Sequence, residues 1–130
     1  MAKILIIDDN PSILALFGFV LAEAGHTVSA AANGREAIEA LGRGLPDFMM
    51  LDVDMPVMGG EEFIRELARL SARNPALNKI PFLVMTGENF MKAGINSAFA
   101  RRPGFVCFLP KMTPPEQVLE TITKRLGGGA

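Results

Sequence analysis

The sequence predicts an α/β domain whose mainly parallel sheet is covered on both faces. Five short apolar runs alternate with segments of helical period, and each run is continuous rather than alternating, as in parallel strands buried on both sides. Acidic residues close the first and third runs, where a parallel α/β sheet keeps its ligand crevice.

The elements follow in order. The first run covers residues 3 to 7, and Asn10 with Pro11 behind it marks the next helix start, with Leu14, Phe17 and Leu21 on its inner face. A second run at 27 to 31 leads to Asn33, whose Glu36 three residues on suggests a capping box. Ala37, Ile38 and Leu41 then form the buried stripe. The third run, 47 to 51, precedes a helix with Phe63, Leu67 and Leu70 inward, and the fourth covers 80 to 85. From Asn89 to Arg102 the apolar residues Phe90, Met91, Ile95 and Phe99 are interrupted by Gly94 without a clean cap, so a short, frayed or displaced helix is expected. The fifth run is 105 to 109. Thr113, with Pro114 and Glu116, is the expected start of the last helix, which turns Val118, Ile122 and Leu126 inward. The domain is thus expected over residues 1–126, with 127–130 a flexible Gly-rich tail.

Composition narrows the function. The chain has 130 residues, one domain by length, with 49% hydrophobic and 21% charged residues, so a packed core is expected rather than disorder. Thirteen basic against fourteen acidic residues supply no overall basic field, so neither nucleic acid nor an anionic membrane is an expected partner of this domain. The longest apolar stretch, Ile13 to Ala22, falls short of the ~18 residues that span a bilayer, and no secretory signal follows Lys3. A cytoplasmic location is expected. Cys107 lies in an apolar run and reads as a small core hydrophobe, and His26 has no neighbouring ligand-type residue and is assigned no role.

The chemistry lies at the strand ends. Asp8-Asp9 closes the first run, and Asp52 opens the segment Asp52-Val53-Asp54-Met55-Pro56-Val57-Met58-Gly59-Gly60. Several carboxylates brought together repel one another unless a hard cation with oxygen ligands joins them, and Mg²⁺, or Mn²⁺, is the usual ion beside a phosphoryl group. Thr86 and Lys111 stand at the ends of the fourth and fifth runs. A nucleophilic carboxylate, a metal, a hydroxyl and a fixed cation are what phosphoryl transfer requires, because that chemistry is mostly positioning and charge neutralisation.

On these residues the chain resembles the receiver domain of two-component response regulators, of the single-domain chemotaxis-like type. The matching pieces are Asp8-Asp9, Asp52 through Gly60 with Pro56 and Gly60 in the family's places, Thr86, and Phe108-Leu109-Pro110-Lys111. The resemblance implies the doubly wound, flavodoxin-like strand order 2-1-3-4-5 with the crevice where the order reverses. It implies that Asp52 is the phosphoacceptor and that Mg²⁺ is held by Asp9, Asp52 and the backbone carbonyl of Asp54, with Asp8 acting largely through water. Thr86 would then bond the phosphoryl group, Lys111 would pair with its charge, and the rotamer of Phe108 would report the state. The implied donor is a histidine kinase or histidine phosphotransfer protein, and the implied response acts through a downstream protein or an output domain. Chemistry would be limited to self-catalysed phosphoryl transfer and autodephosphorylation.

Some positions depart from the family pattern. Met112 follows Lys111 where proline with a cis bond is usual, Gly87 replaces a small side chain, and the Thr86 to Lys111 segment is a few residues longer. Asp54 and Glu88, which flank the phosphoryl position, are both acidic. One alternative is a degenerate receiver acting through phosphate-independent protein contacts. A D-x-D phosphatase built on Asp52 and Asp54 is another, although its order of motifs is reversed here. Finally, Phe90, Met91, Ile95 and Phe99 with Lys92, Arg101 and Arg102 suggest either an apolar docking patch with a basic rim or the core face of a shifted helix.

Overall fold

A computed structural model describes residues 2–87 and 96–127. The elements are β1 (Lys3–Ile7), α1 (Pro11–Glu23), β2 (Thr27–Ala31), α2 (Gly34–Arg43), β3 (Phe48–Asp52), α3 (Gly60–Leu70), a 3₁₀ turn (Pro75–Lys79), β4 (Phe82–Thr86), α4 (Asn96–Ala100), β5 (Phe105–Pro110) and α5 (Pro115–Gly127). All strands are parallel, in the order β2-β1-β3-β4-β5. The expected doubly wound topology is therefore present, and strand order reverses between β1 and β3.

Period-two alternation divides each central strand between two cores. Ile4, Ile6, Met50, Leu83 and Met85 pack with Phe17 and Leu21 of α1 and Val118 and Ile122 of α5. Leu5, Ile7, Met49, Leu51, Phe82 and Val84 pack on the other face with Ala37 of α2, Phe63 and Leu67 of α3, and Phe99 of α4. Each of these side chains other than Ala37 contributes roughly 1.5–3 kcal/mol when fully buried. Leu14, Ile38, Leu70 and Leu126, also expected inward, are only partly covered and flank these clusters.

The outer strands depart from the central-strand reading. In β2, Thr27, Ser29 and Ala30 are exposed, and Phe105 to Leu109 of β5 are half-buried, because an edge strand has a neighbour on one side only. Cys107 is accordingly half-buried, and burial pushes its thiol up from the ordinary range. His26 pins the chain start locally, its Nδ1 accepting the Ala2 N–H at 3.3 Å.

Two predicted caps form as chemistry requires. The Asn10 side chain accepts from the N–H groups of Ser12 and Ile13 at 2.8 and 3.3 Å. Asn33 accepts from Glu36 N–H at 2.9 Å, and the Glu36 carboxylate accepts from Ala32 N–H rather than Asn33, a capping box displaced by one residue. The third start needs correction. Thr113 N–H donates to Pro110 C=O, the first carbonyl used by α5 is that of Pro114, and the helix begins at Pro115, so the second proline fills the position open to a residue lacking N–H.

The expectation of a short or displaced fourth helix is met for the described part, five residues long. Phe90, Met91, Lys92 and Ile95 lie outside the described residues. Phe99 is 0% exposed, which overturns its place in an apolar docking patch: its ring packs edge-on against Phe108 with centroids 6.2 Å apart. Arg102 is half-buried and donates to Asn78 Oδ1 of the 3₁₀ turn at 2.8 Å. Among the described residues no helix is long and apolar enough to cross a membrane.

Candidate functional site

Asp52 is the last residue of β3 and 1% exposed. Because Ile7 pairs with Leu51, the next step along both strands brings Asp8 level with Asp52. Asp8 is buried too. Its N–H donates to Ala31 C=O at 3.0 Å, and its Oδ1 accepts the Asn10 N–H at 2.9 Å, so the residue capping α1 also fixes this carboxylate. Asp9 is exposed at the rim, yet one carboxylate oxygen from each of Asp8, Asp9 and Asp52 lies within 4.8 Å of the others.

The cation arrives from β5. Pro110 pairs with Thr86 of β4, and Lys111 N–H then donates to Thr86 C=O at 2.9 Å, which carries the ladder one residue further. From that anchor Lys111 Nζ reaches Asp52 Oδ1 at 2.8 Å. This approach lies off the line of a well-directed hydrogen bond, and Asp52 Oδ2 is buried with no hydrogen-bonding partner among the described residues.

The electrostatics follow from three anions facing one close cation. Burial pushes Asp52 up to about 6. The Lys111 ammonium opposes that rise, and the charges of Asp8 and Asp9 add to it. Asp8 is also raised, chiefly by burial, against the pull of the Asn10 N–H and Lys111. For Lys111, burial acts downward but is outweighed by the Asp52 contact and the charges of Asp8 and Asp9, so its net shift is upward. A carboxylate oxygen left bare in this setting fits a hard divalent cation, since an all-oxygen donor set with excess negative charge is what Mg²⁺ takes.

The loop after β3 is held tightly. Gly60 N–H donates to Val53 C=O at 2.9 Å, and a Cβ at Gly60 would lie 2.6 Å from the Asp52 carbonyl oxygen, so only glycine lets α3 begin this close to the strand end. To make that return the chain turns sharply at Val57, with φ 68° and Met58 N–H donating to Pro56 C=O at 2.7 Å. Met58 C=O in turn accepts the Gly34 N–H at 2.7 Å, tying the loop to the start of α2. Asp54 projects an exposed side chain from this loop.

Most of the site residues expected from sequence therefore converge. Asp8, Asp9, Asp52 and Lys111 meet, and Thr86, 6% exposed, is bound to them through its backbone. Phe108 sits further along β5, its ring 4.8 Å from that of Phe105 and edge-on to Phe99. Glu88 lies outside the described residues. The Lys111–Met112 bond is trans. Two contributors escaped the sequence reading: Asn10, taken only as a cap, and Val57, whose backbone geometry has no sequence signature because β-branched residues normally avoid positive φ.

Comparison with known proteins agrees with this geometry. A family model of the response regulator receiver domain matches residues 4–123. Protein PilH of Pseudomonas aeruginosa is 28% identical over 128 residues, covering 98% of this chain and 100% of PilH. Among solved structures, the chemotaxis response regulator CheY4 of Vibrio cholerae is 34% identical with a TM-score of 0.77, over 95% of this chain and 98% of that one. A response regulator from Chloroflexus aurantiacus is 26% identical with a TM-score of 0.80, over 97% and 98% of the two chains. The chain belongs to the response regulator receiver domain family, the phosphoacceptor domains of two-component signalling.

Proposed function

We propose that this receiver domain accepts a phosphoryl group on Asp52 from the phosphohistidine of a histidine kinase or phosphotransfer protein. The observation that carries the reading is a buried carboxylate at a strand end, paired with Lys111 and within 4.8 Å of two further carboxylates. An Asp52 oxygen attacks phosphorus, the N–P bond breaks with its electron pair returning to the imidazole, and an acyl phosphate forms on Asp52. Water later attacks the same phosphorus, the O–P bond breaks, and inorganic phosphate leaves.

Asp8, Asp9 and Asp52 with the Asp54 carbonyl would hold Mg²⁺ or Mn²⁺, which supplies neutralisation of charge on the phosphoryl oxygens. Lys111 shifts from the carboxylate to a phosphoryl oxygen, a move its flexible stem allows without disturbing its backbone anchor on Thr86. The Thr86 hydroxyl bonds another oxygen, and its displacement is relayed to Phe108 through β4 and β5, which pair residue by residue from Leu83 to Thr86. No turnover of an external phosphomonoester is required of the site.

Donor docking is supported by where apolar surface is exposed. The large hydrophobic side chains exposed among the described residues are Leu16, Phe19, Val57 and Met112. They stand on α1, which follows Asp9, on the loop after Asp52, and on the residue after Lys111. A donor reaching a carboxylate 1% exposed has to straddle this rim. Incubation with acetyl phosphate tests the assignment: one added phosphoryl group by intact mass, absent in Asp52→Asn and in excess chelator. An unchanged adduct in Asp52→Asn would sink it.

A further inference from the structure

Lys111 and Met112 are the central residues of the turn from Pro110 to Thr113. Thr113 N–H donates to Pro110 C=O at 2.9 Å, and Lys111 N–H donates to Thr86 C=O at 2.9 Å, so the turn is closed on itself and pinned to β4. Its two central side chains then part. Lys111 reaches inward, with Nζ 2.8 Å from Asp52 Oδ1, whereas Met112 is left in solvent, 92% exposed. A thioether therefore stands in the open beside the cation that touches the phosphoacceptor.

Burial sets this sulfur apart from the others. Met49, Met50 and Met85 are at most 4% exposed, and Met55 and Met58 are partly covered, packed against the core. Thioether sulfur carries its lone pairs at every pH, so access to the oxidant decides which methionine reacts. Among the described residues that is Met112. Cys107 is a poor competitor, because it is half-buried and its raised thiol leaves little of the reactive thiolate. The position also gives oxidation a consequence. Met112 shares the exposed apolar rim with Leu16, Phe19 and Val57, so a donor that covers the crevice covers its side chain, and a polar sulfoxide has to lose water there where a thioether does not.

We propose that Met112 is an oxidation site, and that its conversion to the sulfoxide by a peroxide slows phosphoryl transfer from a donor protein while leaving the chemistry at Asp52 intact. This rests on the donor-docking reading above. In the step, the sulfur lone pair attacks one oxygen of hydrogen peroxide, the O–O bond breaks, an S–O bond forms, and proton transfer releases water. Sulfur is oxidised and the peroxide reduced. Methionine sulfoxide reductases reverse the change, one enzyme for each sulfoxide epimer, so the rim can be reset without new synthesis of the protein.

The test treats the full chain with hydrogen peroxide until intact mass shows one added oxygen, removes the peroxide, and maps the oxygen by peptide mass. It is expected on Met112. Transfer from the phosphorylated phosphotransfer domain of a chemotaxis histidine kinase should slow at least about fivefold, labelling of Asp52 by acetyl phosphate should keep its untreated rate, and methionine sulfoxide reductases A and B together should restore transfer. In Met112→Leu the same treatment should leave that variant's own transfer rate where it began. Oxygen found chiefly on another residue, transfer unchanged by oxidation, or an equal loss in treated Met112→Leu each overturns the proposal. Equal slowing with acetyl phosphate does so too, since it would mark damage to the crevice and not to docking. Failure of acetyl phosphate to label the untreated chain would instead overturn the phosphoacceptor reading beneath it.

Discussion

Replacing Asp52 by Asn should make the metal-free protein more stable at neutral pH, and the amount follows from the crevice. An ordinary aspartate titrates near 3.8, whereas burial and the neighbouring Asp8 and Asp9 hold Asp52 at about 6 even with Lys111 beside it. The folded state therefore keeps a proton that the unfolded chain has released. Below the unfolded value both states are protonated and no penalty exists. As pH rises from about 4 to about 6 stability falls, and above that the full penalty remains. Two pKa units correspond to about 3 kcal/mol at pH 7.5 and about 1 kcal/mol at pH 4.5. Asparagine mimics the neutral carboxyl, and the Lys111 contribution is already contained in the shift, so Asp52→Asn should gain about 3 kcal/mol, or roughly 10 °C in Tm, at pH 7.5 in chelator. Urea unfolding at the two pH values measures it. Added Mg²⁺ should narrow the gap by stabilising only the wild type, as a ligand bound to the native state does. A variant no more stable than wild type at pH 7.5, or a gap independent of pH, would refute the reasoning.

Other outcomes follow from single contacts. Val57→Asn should stabilise by about 1 kcal/mol, because Asn tolerates the positive φ that a β-branched residue resists; a lower urea midpoint would contradict this. Gly60→Ala should cost about 2–3 kcal/mol and slow Asp52 labelling, since its Cβ meets the Asp52 carbonyl, and a wild-type melt would exclude that crowding. Phe19→Glu should slow transfer from a histidine phosphotransfer protein about tenfold or more while acetyl phosphate labelling is unchanged; equal loss with both donors would place Phe19 outside the docking rim. In Thr86→Ala phosphorylation should persist while the phosphate-induced change in amide exchange along β5 disappears, and a wild-type response would disprove the coupling.

Much of this molecule is local in origin and could be read along the chain. Continuous apolar runs identified the strands, and Asn10 and Asn33 marked helix starts because a short side chain facing free N–H groups acts within three residues. Carboxylates directly after apolar runs located the crevice, since strand ends in a parallel sheet share one edge. Thr113 misled because two prolines follow it, and local chemistry allowed the helix to begin at either. Phe99 misled because a poorly patterned segment says nothing about which side chain the neighbouring sheet will cover.

The sequence by itself determined the fold class, the placement of Asp8, Asp9, Asp52, Thr86 and Lys111 at strand ends, and the chemistry those types support. Tertiary structure alone decided which strands lie at the edges, and hence why β2 and β5 are not buried on both faces. It also decided the 2.8 Å pairing of Lys111 with Asp52, the burial that lifts Asp52 to about 6, and the turn at Val57 that lets Gly60 return to Val53. The division has a physical cause: capping and periodicity act over a few residues of one element, whereas desolvation and ion pairing depend on segments more than forty residues apart in sequence meeting in space, and the Val57 turn depends on the loop closing back on the end of its own strand.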